Sequence, residues 1–142
     1  MVKQLYVFIQ NRAGKIASIV KALADAKVDI RAISIADTAD FGILRMLVDD
    51  IELAKTTLAK QNCIISVNEV ALIAVPDMPG GVSGMLELMA GEGIDIEYMY
   101  SLIQRDHDKA YMVIRVSDEA KLSDIMKNNS LEIVDATKLG IR

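Results

Sequence analysis

Apolar and polar positions alternate along this chain in a pattern that is written twice. A short apolar run (Leu5-Tyr6-Val7-Phe8-Ile9) leads into the polar, glycine-bearing turn Asn11-Arg12-Ala13-Gly14-Lys15-Ile16. Apolar residues then recur at helical spacing at Ile16, Ile19, Val20 and Leu23. Adding 66 to each number finds the second copy: the run Leu72-Ile73-Ala74-Val75, the turn Asp77-Met78-Pro79-Gly80-Gly81-Val82, and the stripe Val82, Met85, Leu86 and Met89. Strand openings follow at Val28-Asp29-Ile30 and Ile94-Asp95-Ile96, again 66 apart. Strand, turn and helix occur twice in register, so the chain contains an internal repeat.

The pattern predicts a strand over 2–10, a turn over 11–15 in which Asn11 caps the next helix, and a helix to about Lys27. A second strand follows from Val28 to about Thr38, then a hairpin turn at Asp40-Phe41-Gly42 and a strand over 43–48. Asp49 and Asp50 open a helix through about Gln61, and Ile64 to Val70 closes the first copy. The second copy reads as a strand over 71–75, a helix over 80–91, strands over 94–104 and 110–116 around a turn at 105–109, a helix from Ser117 or Asp118, and a last strand over 131–136. Its second helix carries the apolar stripe Leu122, Ile125 and Met126, and Lys138 to Arg142 is expected to fray. The repeat offset moves to 68 in the hairpin (Val48 against Val116) and returns to 66 (Val67 against Ile133). Such slippage belongs in loops, where a change of length costs little.

Each copy therefore reads β-α-β-β-α-β, the ferredoxin-like order. The expected fold class is α+β, with two ferredoxin-like units, 1–70 and 71–142, whose antiparallel sheets pack together. No Gly, Pro or Ser spacer separates Val70 from Ala71, so residues 64–76 are expected to form one nearly continuous extended segment serving both units. Helices on one side of each sheet leave the other face bare. The strands are apolar at both parities (Ile43, Leu44, Met46, Leu47; Val113, Ile114, Val116), so that face needs a cover. The other repeat and a second copy of the chain are the candidates, and a homodimer or higher homo-oligomer is the expectation.

Composition narrows the partners. Hydrophobic residues make up 52% of the chain but aromatics only 4%, with no Trp, so the core must be aliphatic and rich in Met. A net charge of −4 and the absence of any Lys/Arg block argue against nucleic acid. The single-stranded RNA fold shares the βαββαβ order but wants aromatic residues on its central strands. Tyr111 is read as the only one near the relevant strand of the second copy, and the first copy is read as having none. A single cysteine, Cys63, excludes an internal disulfide framework and is read as a packed thiol at the start of a buried strand. With no signal-peptide pattern and no membrane-length apolar run, a soluble cytoplasmic protein with no membrane partner is expected.

The turn Asp77-x-Pro79-Gly80-x-Val82, the helix behind it, the opening Gly93-Ile94-Asp95-Ile96 and the βαββαβ order resemble an ACT domain. The first copy is similar, with Ala13 where the family often has Pro. Together they cover nearly the whole chain, which resembles the small stand-alone proteins made only of two ACT domains. The resemblance implies regulatory binding of a small effector, typically an amino acid, where the first β-α loop of one domain faces the second strand of its neighbour. By position the implied ligand-binding residues are Asn11, Gly14 and Lys15 with Asp29 and Ile30, and Asp77, Gly80 and Gly81 with Asp95 and Ile96. Relatives often have Asn where this chain has Asp29 and Asp95, so the effector need not be a relative's effector.

The same residues make chemical sense without the family. N–H groups at a helix start beside glycine can receive a carboxylate, and an aspartate can pair with an ammonium group. The blander account has the glycines only easing the turn and the aspartates only ending it. His107 lies between Asp106 and Asp108 in a charged turn and reads as solvated, with no neighbouring ligands for a metal. Tyr98 and Tyr100 share a parity and either line a pocket or pack at a domain contact. No catalytic arrangement and no cofactor or metal site can be nominated from spacing. The reading is a non-enzymatic sensor of an amino acid that signals through association with itself or with a regulated enzyme. Its rival is a ligand-free module that docks to another protein through the apolar sheet face.

Overall fold

The computed structural model describes residues 1–10, 12–37, 41–129 and 131–142. In β1 (Val2–Gln10) the side chains alternate as a half-buried strand requires. Leu5, Val7 and Ile9 point into the core of the first unit, while Gln4, Tyr6 and Phe8 take the opposite face. Gly14 then adopts φ +81, a left-handed turn before α1 (Lys15–Asp25), whose Ile19 and Leu23 are buried as the stripe predicts. After α1 the Val28 N–H donates to the Leu23 carbonyl (2.9 Å), a helix closure that puts Lys27 at φ 64. β2 (Ile30–Asp37) and β3 (Phe41–Val48) pair antiparallel, with a register shift between Ile30 and Ala32. α2 (Ile51–Ala59) is capped by Asp50, whose carboxylate accepts from the Leu53 N–H at 3.1 Å.

The chain then runs as one strand, β4 (Ile64–Pro76), for 13 residues. That is about twice the usual length, and it meets the expectation drawn from the absent spacer. The second unit adds α3 (Gly81–Gly91), β5 (Ile96–Ser101), β6 (Lys109–Val116), α4 (Glu119–Asn128) and the short β7 (Glu132–Ile133). Strand neighbours run β2-β3-β1-β4 in the first unit and β5-β6-β4-β7 in the second, the ferredoxin-like order in both. The second core joins Ala71, Ile73 and Val75 to Met85, Met89, Ile114, Leu122 and Met126, aliphatic and Met-filled as composition requires. On the helix-free faces Leu47 of the first unit and Leu72 and Val113 of the second are buried.

Residues Lys3–Asn68 and Leu139–Arg142 form one compact unit; Met1–Val2 and Glu69–Lys138 form the other. The last residues do not fray. Ile141 is buried, the Arg142 N–H donates to the Asp49 carbonyl (3.1 Å), and the Ile51 N–H donates to the Arg142 carbonyl (2.9 Å). The last strand is also shorter than expected. Asp135 accepts from the N–H (3.1 Å) and hydroxyl (2.7 Å) of Thr137 and so turns the chain into a 3₁₀ helix over Ala136–Leu139. Those bonds hold the Asp135 carboxyl below its ordinary pKa.

Two smaller expectations change. Phe41 and Gly42 lie inside β3, opposite Gln10 and Ile9, rather than in the hairpin turn; Asp40 falls outside the described residues. The first unit does carry aromatics on its central strands. Tyr6 and Phe8 stand edge to face on β1 at 5.3 Å, the Arg45 guanidinium lies 5.2 Å from the centre of the Tyr6 ring, and Phe41 opens β3. Only the net charge of −4 and the absence of a Lys/Arg block then weigh against nucleic acid.

Candidate ligand site

The two turns that begin the helices are built alike. Gly14 and Gly80 are left-handed at φ +81 and +91, and a Cβ on either would meet nothing within 4 Å. Glycine is needed there for the backbone and not for close packing. The N–H groups of a helix's first turn have no intrahelical acceptor. Lys15 N–H turns back to the Arg12 carbonyl (3.3 Å) and Gly81 N–H to the Met78 carbonyl (3.0 Å), so neither of those two is open to a ligand. Gly81 has a different task from Gly80. A Cβ there would lie 2.0 Å from the Pro76 carbonyl oxygen, so its absence lets α3 start against the end of β4.

The strand openings are also alike. Asp29 N–H donates to the Asp49 carboxylate (2.8 Å), and Asp49 N–H returns to the Asp29 carbonyl (3.0 Å). In the second unit Asp95 N–H donates to the Ser117 hydroxyl (3.3 Å), and Ser117 N–H returns to the Asp95 carbonyl (3.0 Å). The backbone is thus pinned at both aspartates while their carboxylates stay exposed, Asp29 beside Arg31 at 3.3 Å. Ile30 and Ile96 turn their side chains onto the two cores. Gly14 and Asp29 sit at opposite ends of α1, an 11-residue helix that spans roughly 16 Å at 1.5 Å per residue. The same holds for Gly80 and Asp95 across α3. Within one unit no amino acid bridges loop and strand opening. Asn11 lies outside the described residues.

Asp77 is engaged within its own unit. Its N–H donates to the Asp108 carbonyl (2.8 Å), and one carboxylate oxygen accepts from Arg105 Nε (3.1 Å) and Nη2 (2.5 Å). Sequence reasoning missed Arg105, because only the hairpin register brings a residue 28 positions away back to the turn. It also missed a cleft of about 310 Å³ lined by Phe8, Ile9, Gln10, Lys15, Phe41 and Ile64. A smaller cleft of about 250 Å³ lies at the equivalent place in the second unit, between Ala74, Pro76, Asp108, Lys109 and Glu132. There Lys109 pairs with Glu132 at 3.3 Å, a hydrogen bond that raises the lysine's pKa. Cys63 is only half-buried, ahead of a strand that opens on the exposed Ile64.

His107 is exposed, and its N–H donates to the Asp106 carboxylate (2.9 Å). Tyr98 and Tyr100 are half-buried on β5, opposite Arg115 and Val113. Among the described residues there is no group of three or more His, Cys, Asp or Glu placed to hold a metal. No helix among them is long and apolar enough to cross a membrane.

Comparison with known proteins agrees with this architecture. Protein BT0572 from Bacteroides thetaiotaomicron is similar at 32% identity over 98% of this chain and 95% of that one, with a TM-score of 0.88. The regulatory subunit of aspartate kinase from Thermus thermophilus, in a ligand-free form, shares the fold at 17% identity over 89% and 92%, with a TM-score of 0.64. The corresponding subunit from Thermus flavus does so at 17% over 88% and 90%, with a TM-score of 0.55. No curated protein matches. The family described as an ACT domain pair matches residues 1–141, and with two βαββαβ units and two left-handed glycine turns in register, the chain belongs to that family.

Proposed function

We propose that this ACT domain pair is a regulatory module that binds a small effector, an amino acid, and passes the signal on through association with itself or with a regulated enzyme. The observation that carries the reading is the repeated turn: Gly14 and Gly80 keep a left-handed backbone beside open space, at the starts of two helices. An anionic group is favoured there by the helix N-terminus. The exposed carboxylates of Asp29 and Asp95 offer partners for an ammonium group. Because each pair lies at opposite ends of a helix, the reading requires the turn of one ACT unit to face the strand opening of another. The repeats 1–70 and 71–142 are the domains in this proposal, a homodimer or higher oligomer is the working assembly, and the cytoplasm its place. The similar folds of aspartate kinase regulatory subunits support an output through a partner enzyme.

A thermal-shift screen against the standard amino acids tests the reading. An effector at a hundred times its dissociation constant adds roughly 2.7 kcal/mol of stability. A screen in which no amino acid raises the midpoint favours the rival, a docking module without a ligand.

A further inference from the structure

We propose that the cleft in the first unit is a second binding site, for a small carboxylate carrying an apolar body about the size of one aromatic ring. It shares only Lys15 with the turn discussed above. Phe8, Phe41 and Ile64 stand around it at 42%, 57% and 71% exposure, over the buried Ile9. Three large apolar side chains exposed around one concavity are more than scattered surface residues. Lys15 lines the same cleft and its ammonium meets no carboxylate among the described residues, whereas Lys21, Lys55 and Lys109 are all ion-paired. No acidic side chain is among the described residues lining it. A bound anion there meets one positive charge and an apolar wall.

The repeat supplies the control. Positions 8, 9 and 10 correspond to 74, 75 and 76, while Phe41 and Lys109 occupy the same register, opposite Gln10 and Pro76. In the second unit Phe8 is replaced by Ala74, Phe41 by Lys109 and Lys15 by Gly81, and the charge introduced is neutralised locally by Glu132. One fold thus carries the same cleft in two chemistries: the second holds a lysine already paired with Glu132, the first two aromatic rings and a lysine that meets no carboxylate among the described residues. A volume of about 310 Å³ lies at the small end of ligand pockets, roughly 300–1,000 Å³. It suits a ring with a short acid arm, the ring against Phe8 and Phe41 and the carboxylate accepting from Lys15 Nζ.

Calorimetric titration of the full chain with 3-phenylpropanoate, and separately with phenethylamine, tests this. The acid should bind and the amine should not. Lys15→Gln and Phe41→Lys should each weaken the acid by about tenfold or more, as loss of a charged hydrogen bond or of an apolar wall does. Lys109→Gln, in the second cleft, should leave it unchanged, and circular dichroism should show every variant folded. If Lys15→Gln fails to fold, Phe41→Lys decides. Absence of binding at about 1 mM acid, where even weak complexes register, overturns the proposal. So does equal binding of the amine, or an affinity unmoved by Phe41→Lys. A dimer that dissociates in Phe41→Lys while the wild type binds no acid would assign the apolar residues to a second copy of the chain and also overturn it. Phe41 belongs to neither glycine turn nor strand opening, so failure here leaves the amino-acid reading standing, and the reverse holds too.

Discussion

Arg105 holds Asp77 from across the β5–β6 hairpin, placing Nε and Nη2 on a single carboxylate oxygen at 3.1 and 2.5 Å. The pair ties the glycine turn of the second unit to the hairpin. The first unit has no counterpart among its described residues, since Asn11 stands where the second copy has Asp77.

Arg105→Ala should therefore loosen the second turn with little effect on global stability. Arg105 is largely exposed and Asp77 partly so, and exposed pairs contribute about 0–1 kcal/mol. Urea denaturation should show a loss within that range, and amide exchange near Met78 should accelerate. Unchanged exchange would show that the pair restrains nothing.

Two glycines in one helix should respond in opposite directions. Gly81→Ala drives a Cβ to 2.0 Å from the Pro76 carbonyl oxygen, a backbone clash expected to cost about 1–3 kcal/mol. Gly84 lies in the interior of α3 with nothing within 4 Å of its missing Cβ, so Gly84→Ala should stabilise by about 0.5–1 kcal/mol. Denaturation midpoints of the two variants check the signs.

Ile141 should behave as a core residue despite its position next to last. It is buried between backbone bonds that tie Arg142 to Asp49 and Ile51. Ile141→Ala should cost about 2–5 kcal/mol, where a frayed end would lose no more than about 0.5 kcal/mol. Equilibrium unfolding separates the two values.

Alkaline stability should depend on Tyr111. Burial first, then the negative charge of Asp106 and the hydrogen bond donated to it (3.2 Å), raise the phenol's pKa in the folded state. The folded chain keeps its proton where the unfolded chain loses it, above about pH 10. The tyrosine's contribution is thus complete below that pH and is lost as pH rises toward the folded value. Tyr111→Phe should show a shallower decline of stability above about pH 10, read from denaturation midpoints across that range.

Much of the fold was legible because the repeat doubles each weak signal. A turn such as Asn11 to Ile16 says little alone, but its copy at Asp77 to Val82 fixes the phase of both helices and the order of the strands. The missing spacer at Val70-Ala71 likewise foretold the long β4. What stayed hidden depends on contacts made at a distance in sequence. Arg105 meets Asp77 only through the hairpin, and Ile141 has neighbours only because the tail returns to Asp49. Glycine's two uses also look identical in sequence. Gly80 serves a left-handed backbone and Gly81 a close approach to Pro76, a difference that exists only in the folded chain. The candidate site was legible as residue types and positions. The prior engagement of Asp77, and the turn-closing use of the Lys15 and Gly81 N–H groups, were not.

The central claim is that an amino acid bridges a glycine turn and an aspartate strand opening. The most direct measurement is calorimetry of the effector found by thermal shift, on the wild type, Asp29→Ala and Asp95→Ala. Both carboxylates are exposed and their strands are pinned through backbone and neighbouring side chains, so the variants should fold. Where the charged hydrogen bond is made, affinity should fall by about 1.5–3 kcal/mol, and the two sites should differ because the second copy has Met78 and Gly81 where the first has Arg12 and Lys15. Unchanged affinity in both variants would place the ligand elsewhere and contradict the account.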